Sequence, residues 1–187
     1  TVYRAYTSLA DAETGSENTG IPNPARDFDT WSGGKDITAA TGSNEIWHIA
    51  CYADAADTNR MHILGWTTSA ANYLRIFTPL TTSEVGASQR HSGVWDTSAY
   101  HMQLDNDDGL YIEAAHVRVE GLQIRMTNVS SDSVDAIITH DFPNNADFRF
   151  SHNIFRGDPN NTLGNWQIGL IIYTGGTGEA RIWNNLA

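Results

Sequence analysis

The densest group of side chains that could bind a metal ion is residues 105–109, read DNDDG. Carboxylate oxygens are the ligands that Ca²⁺ prefers. However, Gly109 stands where an EF-hand loop has its third ligand, and no Glu follows at the required distance. The pattern is more typical of an acidic turn between strands. Ca²⁺ bound near Asp105, Asp107 and Asp108 is a second interpretation, and no other cofactor is predicted.

Three histidines, His116, His140 and His152, raise the question of a transition-metal site. They form no H-x-H or H-x-x-x-H pair, which is the spacing that brings two imidazoles onto one metal ion. The sequence therefore predicts no metal site from these residues.

A glycoside hydrolase needs two carboxylates that face one cleft. Asp135, Asp141 and Asp158 follow one another along the chain and could converge on such a cleft. None of them lies in a recognisable catalytic motif, so no catalytic residue is assigned.

The segment that ends with Trp183 contains side chains that suit sugar binding. Arg181 and Trp183 are two residues apart, so in a strand both would point outward from the same face. An exposed indole beside a guanidinium could stack against a sugar ring, although an indole packed under a loop is the alternative. We predict a glycan-binding surface that contains Trp183, Arg181 and Tyr173.

The elements that must position these residues repeat along the chain. Val117, Phe148 and Ala180 begin equivalent segments, at steps of 148 − 117 = 31 and 180 − 148 = 32 residues. In each segment an Arg lies between two apolar residues, which in a strand places the apolar pair on one face and the Arg on the other. A looser copy is residues 74–76, read LRI.

A second set of apolar segments lies between the first, at residues 110–113, 136–139 and 170–173. Its steps are uneven, 136 − 110 = 26 and 170 − 136 = 34 residues. Two alternating series of strands predict a solenoid built coil by coil. One row of the second series, Tyr111, Ile137 and Ile171, is predicted to point outward. An outward apolar row needs a cover, so we predict that it forms an oligomer interface.

The segments VRVEGLQI, FRFSHNIF and ARIWNNLA resemble coils of right-handed parallel β-helix proteins, in the pectate-lyase-like and phage tailspike-like superfamily. Such coils commonly carry an Asn at the bend after a strand, here Asn153 and Asn185, whereas Leu122 stands at this place in the first segment. The resemblance covers roughly residues 45–187. It implies an all-β fold, a right-handed parallel β-helix solenoid.

The resemblance also raises the possibility of a polysaccharide lyase. Such an enzyme needs a basic residue that takes the proton beside the sugar carboxylate, and calcium or further cations that neutralise this carboxylate. Lys35 is the single lysine of the chain. Instead of lysine, the row Arg118, Arg149 and Arg181 could supply the basic residue and the cations of a lyase. A repeated Arg beside Asp and Glu is more typical of a solvated structural ladder.

Two parts are predicted along the chain. Residues 1–44 would contain a short helix at 7–13, capped by hydroxyl residues and ended by Gly15, and then an irregular crossing. This helix would cover the first coil. Residues 45–187 would form the β-helix coils, with a surface excursion at residues 79–99. The last segment stops before a closing element, which favours a fragment of a longer protein or part of an assembly.

Composition limits the partners and the location. The chain has 22 Asp and Glu against 11 Lys and Arg, and its formal net charge is −11. This charge repels phosphate backbones, so nucleic acid is not a predicted partner. The single Cys51 cannot form an intrachain disulfide, and no apolar run approaches the ~18 residues of a membrane span. The acidic surface favours an extracellular or virion location.

Because no catalytic motif is present, the sequence favours a non-catalytic structural or glycan-binding β-helix module of a phage virion or extracellular surface protein. Its predicted partners are a polysaccharide or cell-surface glycan and, by analogy with tailspikes, two further copies in a homotrimer or another surface protein. One alternative is a secreted polysaccharide lyase or glycoside hydrolase of the pectate-lyase-like class. The other is an architectural fragment that neither binds sugar nor performs chemistry.

Overall fold

The structure is a computed structural model that describes residues 3–26, 32–84, 88–127, 130, 133–140, 144–158, 166–173 and 176–187. These residues form one short helix, α1 (Leu9–Thr14), one 3-10 turn (Asn23–Ala25) and thirteen strands. Three parallel sheets run along the solenoid, and from β4 (Leu74–Phe77) onward the chain visits them in the same order on every turn, whereas the first turn adds no strand to the three-stranded sheet. The fold is therefore an all-β parallel solenoid of about 4 turns with one short helix at its N-terminal end.

The strands are distributed as follows. The five-stranded sheet contains β2 (Trp47–Ala50), β4 (Leu74–Phe77), β7 (His116–Glu120), β10 (Asp147–Ser151) and β13 (Glu179–Trp183). The three-stranded sheet contains β5 (Met102–Asp105), β8 (Gln123–Thr127) and β11 (Ile154–Arg156). The four-stranded sheet contains β3 (Met61–Ile63), β6 (Leu110–Ile112), β9 (Ser133–Thr139) and β12 (Trp166–Ile172). The short strand β1 (Ser32–Lys35) precedes them.

The register of the five-stranded sheet confirms the first predicted series of strands. Val117 pairs with Phe148, and Phe148 pairs with Ala180. The looser copy is also confirmed, because Leu74 pairs with Val117. Alternation then sends one side chain inward and the next outward. The inward side chains of these strands, such as Val119 and Phe150, are fully buried in the single hydrophobic core.

The register of the four-stranded sheet differs from the predicted one by one residue. Leu110 pairs with Ile137, and Ile137 pairs with Leu170. Ile137 is 0 % exposed, so its assignment to an outward interface row is wrong. The reason is that residues 136–138 are consecutively apolar, and such a run does not reveal which side chains point inward. The outward row aligns Tyr111 with Ile138 and Ile171, and an interface there remains a prediction.

The predicted capping helix is present as α1. Ser8 is its N-cap and accepts a hydrogen bond from the backbone N of Asp11 at 3.0 Å. Gly15 ends the helix in the left-handed conformation, at φ 71°. A second acceptor comes from the solenoid, because the Asp57 carboxylate accepts from the backbone N of Leu9 at 2.8 Å. Together these contacts hold the buried Leu9 and Ala12 against the core.

The predicted asparagine ladder is present at the bend between the five-stranded and three-stranded sheets. The Asn153 side chain accepts from the backbone N of Leu122 at 2.9 Å and donates to the carbonyl of Val119 at 3.2 Å. Asn185 continues the ladder on the next turn, where its side-chain oxygen accepts from Asn153 at 2.9 Å. These amides satisfy backbone groups that the bend removes from the sheets.

The predicted surface excursion at residues 79–99, described except for 85–87, is attached to the solenoid by Arg90. Its guanidinium donates to the Thr78 hydroxyl at 2.8 Å, to the Thr78 carbonyl at 3.0 Å and to the Glu120 carboxylate at 3.2 Å. The guanidinium lies directly over Gly121, where an added Cβ would come within 1.9 Å of the Arg90 Nε. The excursion therefore packs on the bend rather than projecting from it.

Replacing Gly121 with alanine should lower the free energy of unfolding by about 3 kcal/mol. Gly121 has a φ of 79°, which costs an alanine about 1 kcal/mol, and displacing Arg90 adds about 2 kcal/mol. Gly65→Ala is the matched control, because Gly65 has a φ of 78° but nothing lies within 4 Å of the added Cβ. Equal losses in the two variants, measured by urea unfolding, would show that the Arg90 contact contributes nothing.

Candidate functional site

Four aromatic side chains form a row on the outer surface of the four-stranded sheet, one from each turn of the solenoid: His62, Tyr111, His140 and Tyr173. We call them the aromatic row. The ring centroids are 4.7 Å apart between His62 and Tyr111, 5.4 Å between Tyr111 and His140, and 5.3 Å between His140 and Tyr173. The spacing follows the separation of neighbouring strands, about 4.8 Å.

The sheet itself places the aromatic row. His62 and Tyr111 are paired residues of β3 and β6, and both alternate with buried neighbours in their strands. His140 follows β9, and its backbone N donates to the carbonyl of Ile112 at 2.8 Å, so it continues the same sheet. Tyr173 follows β12 and is 51 % exposed. The rigid solenoid therefore fixes the positions of all four rings.

The aromatic row combines apolar surface with hydrogen-bonding groups. Tyr111 and His140 lie nearly parallel, at an interplanar angle of 20°, whereas the two end pairs are edge-on, at 79° and 62°. The Glu113 carboxylate lies 2.9 Å from the His62 Nε2 and fixes that imidazole. Rings with polar atoms at their edges can contact both the CH groups and the hydroxyls of a sugar. The surface is therefore chemically suited to an uncharged carbohydrate.

The predicted row of arginines is present on the outer face of the five-stranded sheet, where Arg118 pairs with Arg75 and Arg149, and Arg149 pairs with Arg181. Carboxylates lie beside these guanidiniums, at 2.8 Å for Arg75 and Glu120, 2.7 Å for Arg149 and Asp147, and 2.8 Å for Arg181 and Glu179. The hydrogen bonds from Arg149 hold the pKa of Asp147 below its usual range.

Arg118 differs from its neighbours in this row, because its guanidinium lies over the ring of Tyr73 at 3.3 Å from the centroid. Burial also lowers the pKa of Arg118 from its usual value. Three of the four cations are thus balanced by a carboxylate and the fourth by an aromatic face. Such an arrangement stabilises the sheet surface and offers little net positive charge to an acidic polysaccharide.

The three residues predicted to bind glycan lie on two different sheets. Arg181 and Trp183 are in β13 of the five-stranded sheet, where Trp183 pairs with Ser151 and is 42 % exposed. Tyr173 follows β12 of the four-stranded sheet and belongs to the aromatic row. The prediction did not include Trp166, which is 70 % exposed at the start of β12. The sequence signal for its exposure was its position directly after the mostly polar segment NNTLGN, residues 160–165.

Of the carboxylates considered for a hydrolase, Asp135 does not have the exposure that such an enzyme needs. Asp135 is 4 % exposed within β9, and burial together with the nearby Asp108 raises its pKa to about 6. The backbone N of Asp158 donates to the side chain of Gln167. Asp141 lies outside the described residues. The buried Asp135 cannot act as one of two carboxylates facing a cleft.

The acidic turn and the histidines have other neighbours. Arg60 lies 3.1 Å from Asp107 and 3.7 Å from Asp108, so a cation of the chain already balances this turn. His116 contacts Thr68 at 3.2 Å, and burial lowers the pKa of its imidazole. Among the residues that the structure describes, no group of three or more His, Cys, Asp or Glu side chains could hold a metal ion. Ca²⁺ binding near Asp105 remains a prediction.

No family model matches this sequence, and no curated protein or solved structure is similar to it. In the described part of the chain, no helix has both the length and the apolar character needed to cross a membrane.

Proposed function

We propose that this chain is a non-catalytic, glycan-binding β-helix module of an extracellular or virion surface protein. The observation that carries the proposal is the aromatic row His62, Tyr111, His140 and Tyr173, which follows the solenoid axis over four turns. A linear glycan lying along this axis would contact a ring on every turn. Binding requires no conformational change, because each ring is attached to a sheet.

The charge of the chain selects the type of glycan. A net charge of −11 repels acidic polysaccharides, and the carboxylates beside the arginine row leave little cationic surface to offset that repulsion. Neutral sugars bind through CH groups stacked on rings and through hydroxyls, neither of which requires a positive charge. The ligand we propose is a neutral polysaccharide or the neutral part of a cell-surface glycan.

Tyr173→Ala should weaken glycan binding about three- to tenfold, because Tyr173 is the most accessible ring of the row and one such contact contributes about 1 kcal/mol. A glycan array would first identify the ligand, and titration calorimetry would then compare the variants. Trp183→Ala is the matched control, since Trp183 is an exposed ring on another sheet. If Trp183→Ala weakened binding and Tyr173→Ala did not, the site would lie on the five-stranded sheet.

Assembly is a second part of the proposal. Ile171 belongs to the outward row of the four-stranded sheet that also contains Tyr111, and a homotrimer would cover the apolar surface of Ile171, whereas Tyr111 would stay open to the glycan in the aromatic row. Light scattering on the chain should report three copies. A monomer that binds no glycan on the array would contradict both parts of the proposal and favour a purely architectural role.

A further inference from the structure

A cavity of about 580 Å³ lies at the N-terminal end of the solenoid, between the segment that leads into α1 and the first strand of the five-stranded sheet. Its walls include Tyr6 and Leu9 from the segment and helix, and Trp47 and Ile49 from β2. The buried Tyr100 also lines it. This cavity is separate from the aromatic row, because none of the residues that line it belongs to that row.

The cavity exists because α1 covers only part of the first turn. Trp47 pairs with Leu74, and Ile49 pairs with Ile76. Leu74 and Ile76, the inward side chains of β4, are 0 % exposed, because turns of the solenoid pack against them from both sides. Trp47 and Ile49 occupy the same inward positions but remain only partly buried. Apolar surface that belongs to the core is thus exposed to the cavity.

One wall of the cavity is a rigid aromatic surface. The ring of Trp47 stacks on Trp66, with centroids 4.7 Å apart and an interplanar angle of 21°. Trp66 is itself buried, and its indole N donates to Glu13 at 3.1 Å. The indole of Trp47 is therefore held in place without a ligand, which lowers the entropic cost of binding.

The charged groups in the described lining already have partners. The Asp57 carboxylate accepts from the backbone N of Leu9 at 2.8 Å and from the Tyr100 hydroxyl at 3.0 Å. The Arg4 guanidinium is paired with Asp54 and also donates to the Thr7 carbonyl at 3.0 Å. A ligand carboxylate would therefore be buried without a free counter-cation, at a high desolvation cost.

Two titratable side chains of the first turn, His48 and Cys51, add no charge to the cavity. His48 alternates with the inward Trp47 and Ile49 and is exposed on the outer face of the sheet, where its ring lies 6.3 Å from that of Tyr73. Burial raises the pKa of the Cys51 thiol far above its usual range, so this thiol stays protonated. Apart from Arg4 and Asp57, whose polar contacts are already made, the described lining thus presents mainly apolar and aromatic side chains and a protonated thiol.

We propose that this cavity binds a neutral, aromatic small molecule. Its volume falls in the range of about 300 to 1,000 Å³ that is typical of small-molecule sites, and its lining of aromatic and aliphatic side chains has the composition of such sites. Among the described lining residues no cation is unpaired, which disfavours fatty acids. The fixed Trp47 ring favours a flat ligand over a flexible chain. The inference is independent of glycan binding by the aromatic row.

The test uses N-phenyl-1-naphthylamine, a neutral aromatic probe whose fluorescence rises in apolar surroundings. The folded chain should enhance its emission saturably, with one site per chain and a dissociation constant of about 1 to 100 μM. Ile49→Trp should fill the cavity and weaken binding at least tenfold while keeping the far-UV circular dichroism spectrum. Ala5→Phe, on the segment outside the sheets, is the second filling variant if Ile49→Trp does not fold.

The matched control is Ile182→Trp. Ile182 belongs to the same inward row as Ile49, because strand pairing connects the two residues through Ile76, Val119 and Phe150. It lies at the opposite edge of the sheet, on β13, and is 51 % exposed. Probe binding should be unchanged in this variant. The proposal is overturned if the wild-type chain shows no saturable enhancement. It is equally overturned if Ile182→Trp weakens binding as much as the filling variants do, since the probe would then bind to exposed apolar surface.

Discussion

Replacing Asn153 with leucine should lower the free energy of unfolding by about 3 to 5 kcal/mol. Leucine has the same branched side-chain skeleton as asparagine, although it is larger, and the preceding turn carries Leu122 at the equivalent position, so a bend of this kind accommodates a leucine. What is lost is the amide, which is 0 % exposed and serves the backbone N of Leu122 and the carbonyl of Val119. Each buried polar group that loses its partner costs about 1 to 3 kcal/mol.

Urea unfolding followed by circular dichroism would measure this loss. Asn185→Leu is the comparison on the last turn, where Asn185 is only partly buried. Its amide donates to the Phe150 carbonyl at 2.9 Å and accepts from the backbone N and the amide of Asn153, each at 2.9 Å. Water can replace part of these contacts, so this variant should lose less than Asn153→Leu, about 1 to 2 kcal/mol. A loss below 1 kcal/mol in Asn153→Leu would show that the asparagine ladder does not stabilise the bend.

Asp135→Asn should raise the free energy of unfolding by about 2 to 3 kcal/mol at pH 7.5. Asp135 is buried in β9, its Oδ1 has no hydrogen-bond partner, and burial with the nearby Asp108 raises its pKa from 3.8 to about 6. At pH 7.5 the folded chain must hold this carboxylate ionised against that preference, at about 1.4 kcal/mol per pKa unit. Asparagine keeps the shape and removes the charge.

The sign of the pH dependence follows from the raised pKa. The contribution of Asp135 to stability is fully present below pH 3.8, where the carboxyl is protonated in both states, and is lost as the pH rises through about 6. The stability gained by the Asn variant should therefore increase from pH 4 to pH 7. Asp107→Asn is the control, since Asp107 is exposed and paired with Arg60. A gain that is the same at both pH values would contradict a buried, titrating Asp135.

Part of the fold could be predicted because the sequence marks the two faces of some strands. In β7 and β10 an Arg separates two apolar residues, so the alternation shows which side chains enter the core, and the paired positions follow. The asparagine at the bend was predicted from the resemblance to β-helix coils, and its amide both donates and accepts where the backbone leaves a sheet. The helix cap was readable from Ser8 and Gly15.

The sequence by itself thus determined the solenoid, its capping helix and the register of the five-stranded sheet, because these depend on local alternation and on a nearly constant repeat. The register of the four-stranded sheet was decided only by tertiary packing, since the apolar run 136–138 has no polar residue to mark its outward side. The aromatic row, too, is formed only by the tertiary structure. Its members are 111 − 62 = 49, 140 − 111 = 29 and 173 − 140 = 33 residues apart, and loops of unequal length bring them into line. The cavity depends on how far α1 covers β2, which no sequence pattern encodes.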